Sequence, residues 1–312
     1  MSGRAAAVGA QAKVNLFLHV LSREDSGYHQ IETLFCRLEL ADEVVVRLPG
    51  TGAGTARSID CAGDDTGPPE ENLAYRAAAL YAECRGWPSG FAIEVTKHIP
   101  VGGGLGGGSA DAGAVLRALR ALDPDPPDAA TLQRWAARLG ADVPVMTLDS
   151  PLALGWGRGE QLLPLPALPS RAVMLYVPEF RVATREAYQW WDEARSADRG
   201  DQPPPRRVDY PGAPRPRAHD PATLGDWGHV APLMTNDFEA VVGARHPEIP
   251  IMTTRLRALP GAAAALLSGS GSTVYCVMSA SRPPRDLIEP PVAGTVVQTT
   301  TADHVVGVRR ID

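Results

Sequence analysis

Apolar and polar residues alternate between residues 11 and 20, and this two-residue period predicts a β-strand. The even positions from 14 to 20 are aliphatic, so they are predicted to share one face of the strand. The opposite face would carry Lys13, Asn15, Phe17 and His19. A lysine that protects a sheet edge from aggregation would explain Lys13, since lysine is rarely buried without a partner. It would not explain Asn15 on the same face, so the pattern alone leaves open what Lys13 and Asn15 contact.

The same patterns divide the rest of the chain into strands and helices. Strands are predicted for two apolar runs within residues 34–48, separated at residues 41–43, and for residues 91–100, 171–177 and 264–279, the last interrupted by a glycine turn. Helices are predicted over residues 72–86, 109–122, 129–140 and 184–195, and as a pair between 235 and 259 that is separated near His246-Pro247. Gly86 and Gly140 are predicted helix ends, and Asp128 is a predicted N-cap.

Proline and charged residues dominate the segment from Asp198 to about Trp227, which contains the run DQPPPRRVDYPGAPRPRAHDP. Proline lacks a backbone N–H, so this composition excludes a regular helix or a central strand. We expect an exposed, disordered insertion, and a solvated loop is favoured over a lid.

Composition bounds the class of protein. The chain has 312 residues, 44% of them hydrophobic, which suffices for one large domain or two ordinary ones. The formal net charge of −6 gives no indication of a nucleic-acid partner, although a local basic site for a small anion is compatible with it. The four cysteines form no C-x-x-C pair, which argues against a zinc site or disulfide framework. Neither a signal peptide nor an apolar run of membrane-spanning length is recognisable, so a cytoplasmic protein without membrane contact is expected.

Six glycines surround Leu105 in PVGGGLGGGSADAG, and an amphipathic helix is predicted to begin directly after them. Glycine lets backbone N–H groups approach a ligand, and a helix N-terminus adds partial positive charge, so the combination suits a phosphate. A Walker A loop is excluded because Ser109 follows the glycines without a lysine. The dinucleotide-binding pattern matches only weakly, because TKHIP separates the strand from the first glycine. A flexible connector would not explain the well-patterned helix, so phosphate binding is favoured.

Three other motifs carry little weight when each is taken alone. The run SGSGS at residues 268–272 is most simply a glycine turn between two strands. Asp142, in LGADVPV just past a predicted helix end, is most simply a turn residue before a proline. Tyr28 and His29 in SGYH are compatible with the surface of a turn.

Together and in this order, the motifs resemble the GHMP kinase superfamily. The matching segments are AKVNLFLHV with GYHQIETLF, then PVGGGLGGGSADA, LGADVPV and SGSGSTVY, supported by GWGRGE and TNDFEAVV. The resemblance spans nearly the whole chain except the proline-rich insertion. It implies an α+β fold of two lobes with the active site in the cleft between them. These would be an N-terminal ATP-binding lobe at residues 1–168 and a C-terminal ferredoxin-like lobe at residues 169–312.

The pairing of AKVNL with GYH resembles the superfamily members that act on a cytidine-diphosphate-linked methylerythritol in the non-mevalonate route to isoprenoid precursors. The resemblance implies an enzyme that transfers the γ-phosphoryl group of ATP to the tertiary 2-hydroxyl of that small molecule. Mg²⁺ is the expected companion of ATP, and the sequence identifies no protein ligand for it. Both a monomer and a homodimer stay open.

The resemblance also assigns residues to this reaction. Asp142 matches the catalytic base, and Lys13 matches the lysine beside it. Tyr28 would stack on the cytosine, and His29 would form hydrogen bonds with it. Further substrate-pocket positions are Asn15, Phe35, Thr184 and Tyr188.

The ATP site is implied in the same way. Asn72, Leu73 and Lys97 match the adenosine-side pocket. The phosphate loop would comprise Pro100, Val101, Gly102, Gly103, Gly104, Leu105, Gly106, Gly107, Gly108, Ser109 and Ala110. A third glycine motif would comprise Ser268, Gly269, Ser270 and Gly271. The loop departs from the family pattern at Ala110, where a second serine is frequent, although Asp111 follows.

Two alternative functions stay open. One is another small-molecule GHMP kinase, acting on mevalonate, homoserine or a sugar, and a tyrosine beside a histidine in SGYH argues against it because that pair suits a nucleobase. The other is a catalytically inactive ATP-binding relative, and the presence of Lys13, Asp142 and the glycine loop argues against it. The proposed chemistry requires the ammonium group of Lys13 to lie close to the carboxylate of Asp142.

Overall fold

A computed structural model describes residues 4–50, 54–62, 68–197, 208–209, 220–280 and 293–311 of the chain. Its strands are β1 (Ala5–Arg23), β2 (His29–Arg47), β3 (Arg57–Ala62), β4 (Phe91–Thr96), β5 (Leu152–Gly157), β6 (Gln161–Leu165), β7 (Ala172–Pro178), β8 (Val208–Asp209), β9 (Thr235–Asn236), β10 (Ala262–Leu267), β11 (Val274–Met278), β12 (Gly294–Thr300) and β13 (Arg309–Ile311). Its α-helices are α1 (Leu73–Arg85), α2 (Gly107–Leu122), α3 (Ala129–Ala137), α4 (Val143–Met146), α5 (Thr184–Ala197), α6 (Trp227–Val230), α7 (Phe238–Gly243) and α8 (Glu248–Arg257).

The strands form two sheets. The first has nine strands with the main order β13-β1-β2-β4-β3, and β5 and β6 extend it beyond the other half of β2. The second has four antiparallel strands in the order β10-β11-β7-β12. Helices α1 and α2 pack on each other, and α2 also packs on β1 and β2. Helices α5, α7 and α8 contribute to a separate core with the second sheet, so the predicted α+β fold is confirmed.

The helix ends follow from capping residues that the sequence shows. The side chain of Asn72 accepts a hydrogen bond from the Ala74 amide at the start of α1, and Gly86 ends this helix at φ 65°. The predicted N-cap Asp128 accepts a hydrogen bond from the Thr131 amide at the start of α3. The predicted end of α3 at Gly140 is wrong by two residues, because the helix is closed by 3₁₀-type hydrogen bonds around Arg138.

The predicted alternation along β1 fails after Asn15. The register between β1 and β2 shifts between Asn15 and Phe17, so an extra residue is inserted there as a β-bulge. Leu16 and Phe17 both pack into the first core, whereas Leu18 packs into the second core. Lys13, Asn15 and Leu18 therefore all line the same cleft, and Phe17 leaves the polar face to which the simple two-residue period assigned it.

The two apolar runs predicted within residues 34–48 form a single strand, β2. The acidic residue between them, Asp42, is fully buried. Its carboxylate accepts hydrogen bonds from the amides of His98 and Ile99, at 2.5 and 2.7 Å, and from Lys97. Because its charge is compensated, Asp42 does not interrupt the strand as an isolated aspartate would.

Most of the proline-rich insertion predicted for residues 198–227 lies outside the described residues. Its predicted extent is wrong at the C-terminal end, where Leu224 and Trp227 are buried in the first core. The indole of Trp227 donates a hydrogen bond of 2.7 Å to the carbonyl of Pro169. The predicted exposed segment therefore does not extend to residue 224.

The last strand lies on the first sheet. Strand β13 pairs antiparallel with the start of β1, at Ala5–Ala7, although the chain reaches it through β12 of the second sheet. The division into lobes at residues 168 and 169 stays a prediction. Within the described ranges, no helix combines the length and the apolar character needed to cross a bilayer.

Candidate active site

A cleft of about 1730 Å³ brings together nearly all of the residues predicted for the site. Its lining includes the glycine loop, the ends of β1 and β2, the start of α5 and the turn between β10 and β11. Ala110 and Ser268 are the predicted residues that do not line it. Ala110 packs into the first core, and Ser268 is buried beneath the glycine loop.

The glycine loop owes its shape to positive backbone angles and to close packing. Gly102, Gly104 and Gly106 have φ of 78°, 77° and 73°, a conformation that residues with a Cβ rarely adopt. Gly106 immediately precedes α2, so the unpaired N–H groups at the start of this sixteen-residue helix face the cleft end of the loop. The arrangement fits the predicted phosphate loop.

The SGSGS turn holds the glycine loop from the other side. The hydroxyl of Ser268 donates a hydrogen bond of 3.0 Å to the carbonyl of Gly104, and the amide of Thr273 donates one of 3.1 Å to the carbonyl of Gly103. A Cβ on Gly104 would lie 2.2 Å from the carbonyl oxygen of Ser268. The two glycine motifs therefore form one unit, which neither motif indicated by itself.

Lys13 and Asp142 lie together in the cleft. The Nζ atom of Lys13 is 3.3 Å from Oδ2 of Asp142, so the proximity expected from the sequence is confirmed. Lys13 is only 4% exposed, and it passes between the two glycine motifs. A Cβ on Gly106 would lie 3.0 Å from the Cγ atom of Lys13, and a Cβ on Gly269 would lie 3.2 Å from its Nζ atom. The side chain of Asp142 is 32% exposed and faces the cleft.

A chain of hydrogen bonds fixes the direction of Lys13. Its Nζ atom donates to Oδ1 of Asn15 at 2.9 Å, and Nδ2 of Asn15 donates to the Thr33 hydroxyl at 2.8 Å. The Thr33 hydroxyl in turn donates to the Phe17 carbonyl at 2.7 Å. These groups are buried, so the amide of Asn15 holds the ammonium group in place from the protein side.

Asp142 does not stand at the negative end of a helix. It occupies the N-cap position of the short helix α4, with its side chain free of any capping hydrogen bond. Its carboxylate is therefore left to face Lys13 and the cleft. Burial, and to a lesser degree the charge of Asp142, raise the pKa of the Tyr188 phenol, which keeps that side chain neutral.

Aromatic side chains that contact one another line another part of the cleft. The rings of His29 and Tyr188 stack with centroids 4.4 Å apart, and the edge of Tyr188 meets Phe238 at 4.9 Å. Nε2 of His29 lies 2.8 Å from Oδ1 of Asp192, a residue on α5 that the sequence analysis did not select. Asp192 thus orients His29, and Tyr28 beside it is 59% exposed.

Two further predicted substrate residues border this path. Phe35 is buried below Lys13, whose Nζ atom lies 5.9 Å from its ring centroid. Gly155 allows the close approach of Phe35, since a Cβ there would be 2.7 Å from the ring. Thr184 begins α5, and its hydroxyl is 3.0 Å from the hydroxyl of Ser270 in the SGSGS turn.

The residues predicted for the adenosine side also line the cleft, but two of them have structural partners. Asn72 caps α1. Lys97 is an ion-pair partner of Asp42 and lies 2.7 Å from Oδ2 of Asp111. Burial disfavours the charged form of Lys97, but the two carboxylates outweigh it and raise its pKa. Burial together with the charge of Asp42 raises the pKa of Asp111, although Lys97 opposes this shift.

Asp42 and Asp111 were missed as parts of the site because their role depends on contacts across the fold. Asp42 comes from β2 and Asp111 from the second turn of α2, and Lys97 contacts both carboxylates. The signal in the sequence was an acidic residue between two apolar runs for Asp42 and an acidic residue directly after the glycine loop for Asp111. Among the described residues none donates a hydrogen bond to Oδ1 of Asp111, although this atom is buried.

Comparison with known proteins assigns the chain to a family. Residues 72–150 match the model of the GHMP kinases N terminal domain, and residues 218–288 match that of the GHMP kinases C terminal. A 4-diphosphocytidyl-2-C-methyl-D-erythritol kinase of Moorella thermoacetica is 37% identical over 268 residues, which cover 86% of this chain and 88% of the relative. The kinase of the same name from Desulfitobacterium hafniense is 36% identical over 270 residues, 86% of each chain.

Solved structures agree with the sequence comparison. The crystal structure of a 4-(cytidine 5'-diphospho)-2C-methyl-D-erythritol kinase is 33% identical, with a TM-score of 0.64, and the match covers 94% of this chain and 98% of that one. A homoserine kinase from Cytophaga hutchinsonii shares the fold with a TM-score of 0.68 at 18% identity, over 98% and 97% of the two chains. The chain therefore belongs to the 4-diphosphocytidyl-2-C-methyl-D-erythritol kinase family of the GHMP kinases.

Proposed function

We propose that this protein transfers the γ-phosphoryl group of ATP to the 2-hydroxyl group of 4-diphosphocytidyl-2-C-methyl-D-erythritol, giving the 2-phosphate and ADP, in the methylerythritol phosphate route to isoprenoid precursors. The observation that carries the proposal is the Lys13–Asp142 pair, 3.3 Å apart, in the cleft that is also lined by the glycine loop and by His29 and Tyr188. ATP would bind at the glycine loop and the phosphoryl acceptor beside His29 and Tyr188, so that both substrates reach the Lys13–Asp142 pair.

Asp142 is proposed as the general base. The substrate oxygen attacks the γ-phosphorus, the bond from that phosphorus to the β–γ bridging oxygen breaks, and ADP leaves with the electron pair. The hydroxyl proton passes to the carboxylate of Asp142, which is partly exposed and makes no capping hydrogen bond that would compete. Phosphoryl transfer depends mainly on positioning and charge stabilisation, so this proton transfer is one of several contributions.

Lys13 and the glycine loop are proposed to stabilise the transferred group. The ammonium group would attract the negative charge of the equatorial phosphoryl oxygens. It is pre-oriented by Asn15, so little reorganisation is needed on binding. Backbone N–H groups of the loop and of the first turn of α2 would bind the β- and γ-phosphates, as the position of the loop before this helix supports.

The cytosine is proposed to bind at Tyr28, His29 and Tyr188. The aromatic rings of His29 and Tyr188, which stack on each other, support this proposal, and Asp192 holds the imidazole through a contact of 2.8 Å. Phe35 and Thr184 would border the remainder of the substrate. Binding energy from the base, remote from the reaction, would orient the hydroxyl group toward the phosphate.

Mg²⁺ is proposed to accompany ATP. This ion prefers oxygen ligands and keeps several waters. Ser109 lines the cleft at the start of α2, and buried Oδ1 of Asp111 accepts no hydrogen bond from the described part of the chain, so these two residues fit as its protein ligands. When bound, the ion would neutralise charge on the phosphates. Ala110 has no hydroxyl group that could contact the ion or the phosphates, so fewer protein groups can share this function.

A substrate panel tests the proposed function. Purified protein with ATP and Mg²⁺ is incubated separately with 4-diphosphocytidyl-2-C-methyl-D-erythritol, mevalonate and homoserine, and ³¹P NMR locates any new phosphate ester. We expect turnover of the cytidyl compound with the new ester at the 2-position. Turnover of mevalonate or homoserine alone would assign the protein to the other GHMP activity, and turnover of none would favour the inactive relative.

We further propose a cytoplasmic protein with an ATP-binding lobe at residues 1–168 and a second lobe at residues 169–312.

A further inference from the structure

Arg158 lies against the exposed ring of Tyr28. It occupies the turn between β5 and β6, and its Cζ atom is 4.1 Å from the centroid of the Tyr28 ring. Both residues line the cleft. A guanidinium at this distance interacts favourably with the face of an aromatic ring. One face of Tyr28 is therefore covered by a residue distant in sequence.

The guanidinium is itself held in place by the turn that carries Tyr28. Nη2 of Arg158 donates to Oε2 of Glu24 at 2.6 Å and Nε donates to Oε1 at 3.3 Å, a two-point contact. The hydrogen bond from Arg158 and others from this turn lower the pKa of Glu24 to about 2, so the carboxylate stays charged. The amide of Glu24 also donates to the carbonyl of Tyr28 at 2.7 Å, which closes the turn.

The β5–β6 turn points Arg158 at this place. Gly157 and Gly159 on either side of it have φ of 73° and 111°. The amide of Arg158 donates a hydrogen bond of 2.7 Å to Glu160. The side chain of Arg158 thus joins the turn between β5 and β6 to the turn between β1 and β2.

We propose that Arg158 is a positioning residue for base recognition: it fixes the ring of Tyr28 from behind so that the free face receives the cytosine. This inference rests on the proposed function and extends it to a residue outside the predicted set. Without Arg158, a ring that is 59% exposed would sample several rotamers, and binding of the base would have to order it. Arg158 removes that cost in advance.

Steady-state kinetics of the full-length protein test the inference. Arg158→Ala is compared with wild type and with Arg47→Ala, which removes another exposed two-point Arg–Glu contact that does not line the cleft. We expect Arg158→Ala to raise the KM for the cytidyl substrate about two- to fivefold, the range of an exposed cation–π contact, with kcat and the KM for ATP unchanged. Arg47→Ala is expected to change neither KM. Urea unfolding of each variant confirms that it is folded.

A double-mutant cycle separates positioning of Tyr28 from direct contact with the substrate. In a Tyr28→Ala background, Arg158→Ala is expected to have no further effect on the KM. An unchanged KM in the single variant, a lowered KM, or an equal rise in the Tyr28→Ala background would each overturn the inference. The second result would mean that the guanidinium occupies the place of the base, and the third that it contacts the substrate itself. If wild type fails to phosphorylate the cytidyl compound, the proposed function fails first, and that result is distinct from these three.

Discussion

Gly104, at the contact between the two glycine motifs, provides a quantitative test of how the phosphate loop is held. A Cβ at this position would lie 2.2 Å from the carbonyl oxygen of Ser268 and 2.9 Å from that of Gly271. Both neighbours are backbone atoms, so neither can rotate away as a flexible side chain would. Gly104→Ala must therefore displace one glycine motif from the other.

The expected loss of stability follows from two destabilising terms and one opposing term. At φ 77°, a residue with a Cβ costs about 1–2 kcal/mol, and overpacking against fixed neighbours adds about 1–3 kcal/mol. Alanine restricts the unfolded chain, which returns about 0.4–1 kcal/mol. Gly104→Ala should thus lower the free energy of unfolding by about 2–4 kcal/mol. Gly86→Ala is the matched control, since Gly86 has φ 65° with nothing within 4 Å of the added Cβ, and it should lose only about 1 kcal/mol.

Urea unfolding and steady-state kinetics together provide the assay. Because the loop must shift by roughly 1 Å to relieve the contact, Gly104→Ala should lower kcat on the order of 100-fold. Gly86→Ala should retain the kcat of wild type. Equal losses of stability and equal kcat in the two variants would refute the account of the loops as one unit.

Three further predictions concern buried and unpaired charges. Lys97→Met should lower the free energy of unfolding by about 3–5 kcal/mol in urea titrations, because two buried carboxylates lose their cation. Burial alone would raise the pKa of Asp123, but hydrogen bonds from a backbone amide, Arg85 and Tyr81 outweigh it and hold the pKa below its usual value. Asp123→Asn should therefore destabilise the protein by about 1–2 kcal/mol at pH 7, and the difference should shrink as the pH falls through the lowered pKa, as followed by thermal unfolding. Arg185 lines the cleft without an acidic side chain within 4 Å among the described residues, so Arg185→Ala should raise the KM for the doubly charged substrate, and less so at high salt.

Local signals in the sequence predicted those parts of the fold that are determined locally. Asn72, Asp128 and Gly86 cap helices because their own side chains or backbone preferences satisfy the helix ends. The bulge after Asn15 could not be predicted in this way, because it depends on how β1 meets its partner β2. It changes which residues after Asn15 face the cleft.

The burial of two residues, Asp42 and Trp227, was also not predicted from the sequence. Asp42 looked like a break between two strands because its partners, Lys97 and two amides, come from a segment more than fifty residues away. Trp227 looked like part of an exposed segment because its neighbours are dominated by proline and charge, yet it is buried and its indole donates a hydrogen bond to the carbonyl of Pro169. In both cases the deciding contact is long-range, and one sequence does not reveal it.

Asp142 is the residue on which the proposed chemistry depends. Its carboxylate forms an ion pair with Lys13 but makes no capping hydrogen bond to α4, which leaves it available for the substrate hydroxyl. Asp142→Asn keeps the size of the side chain and removes its basicity. The variant therefore changes the reaction more than the shape of the cleft.

The most direct test measures kcat and KM of wild type and of Asp142→Asn with 4-diphosphocytidyl-2-C-methyl-D-erythritol and ATP. Removal of a general base is expected to lower kcat by about 10²- to 10⁴-fold, with only a small change in either KM. A kcat like that of wild type would contradict the assignment of Asp142 as the base, and with it the central claim about this cleft.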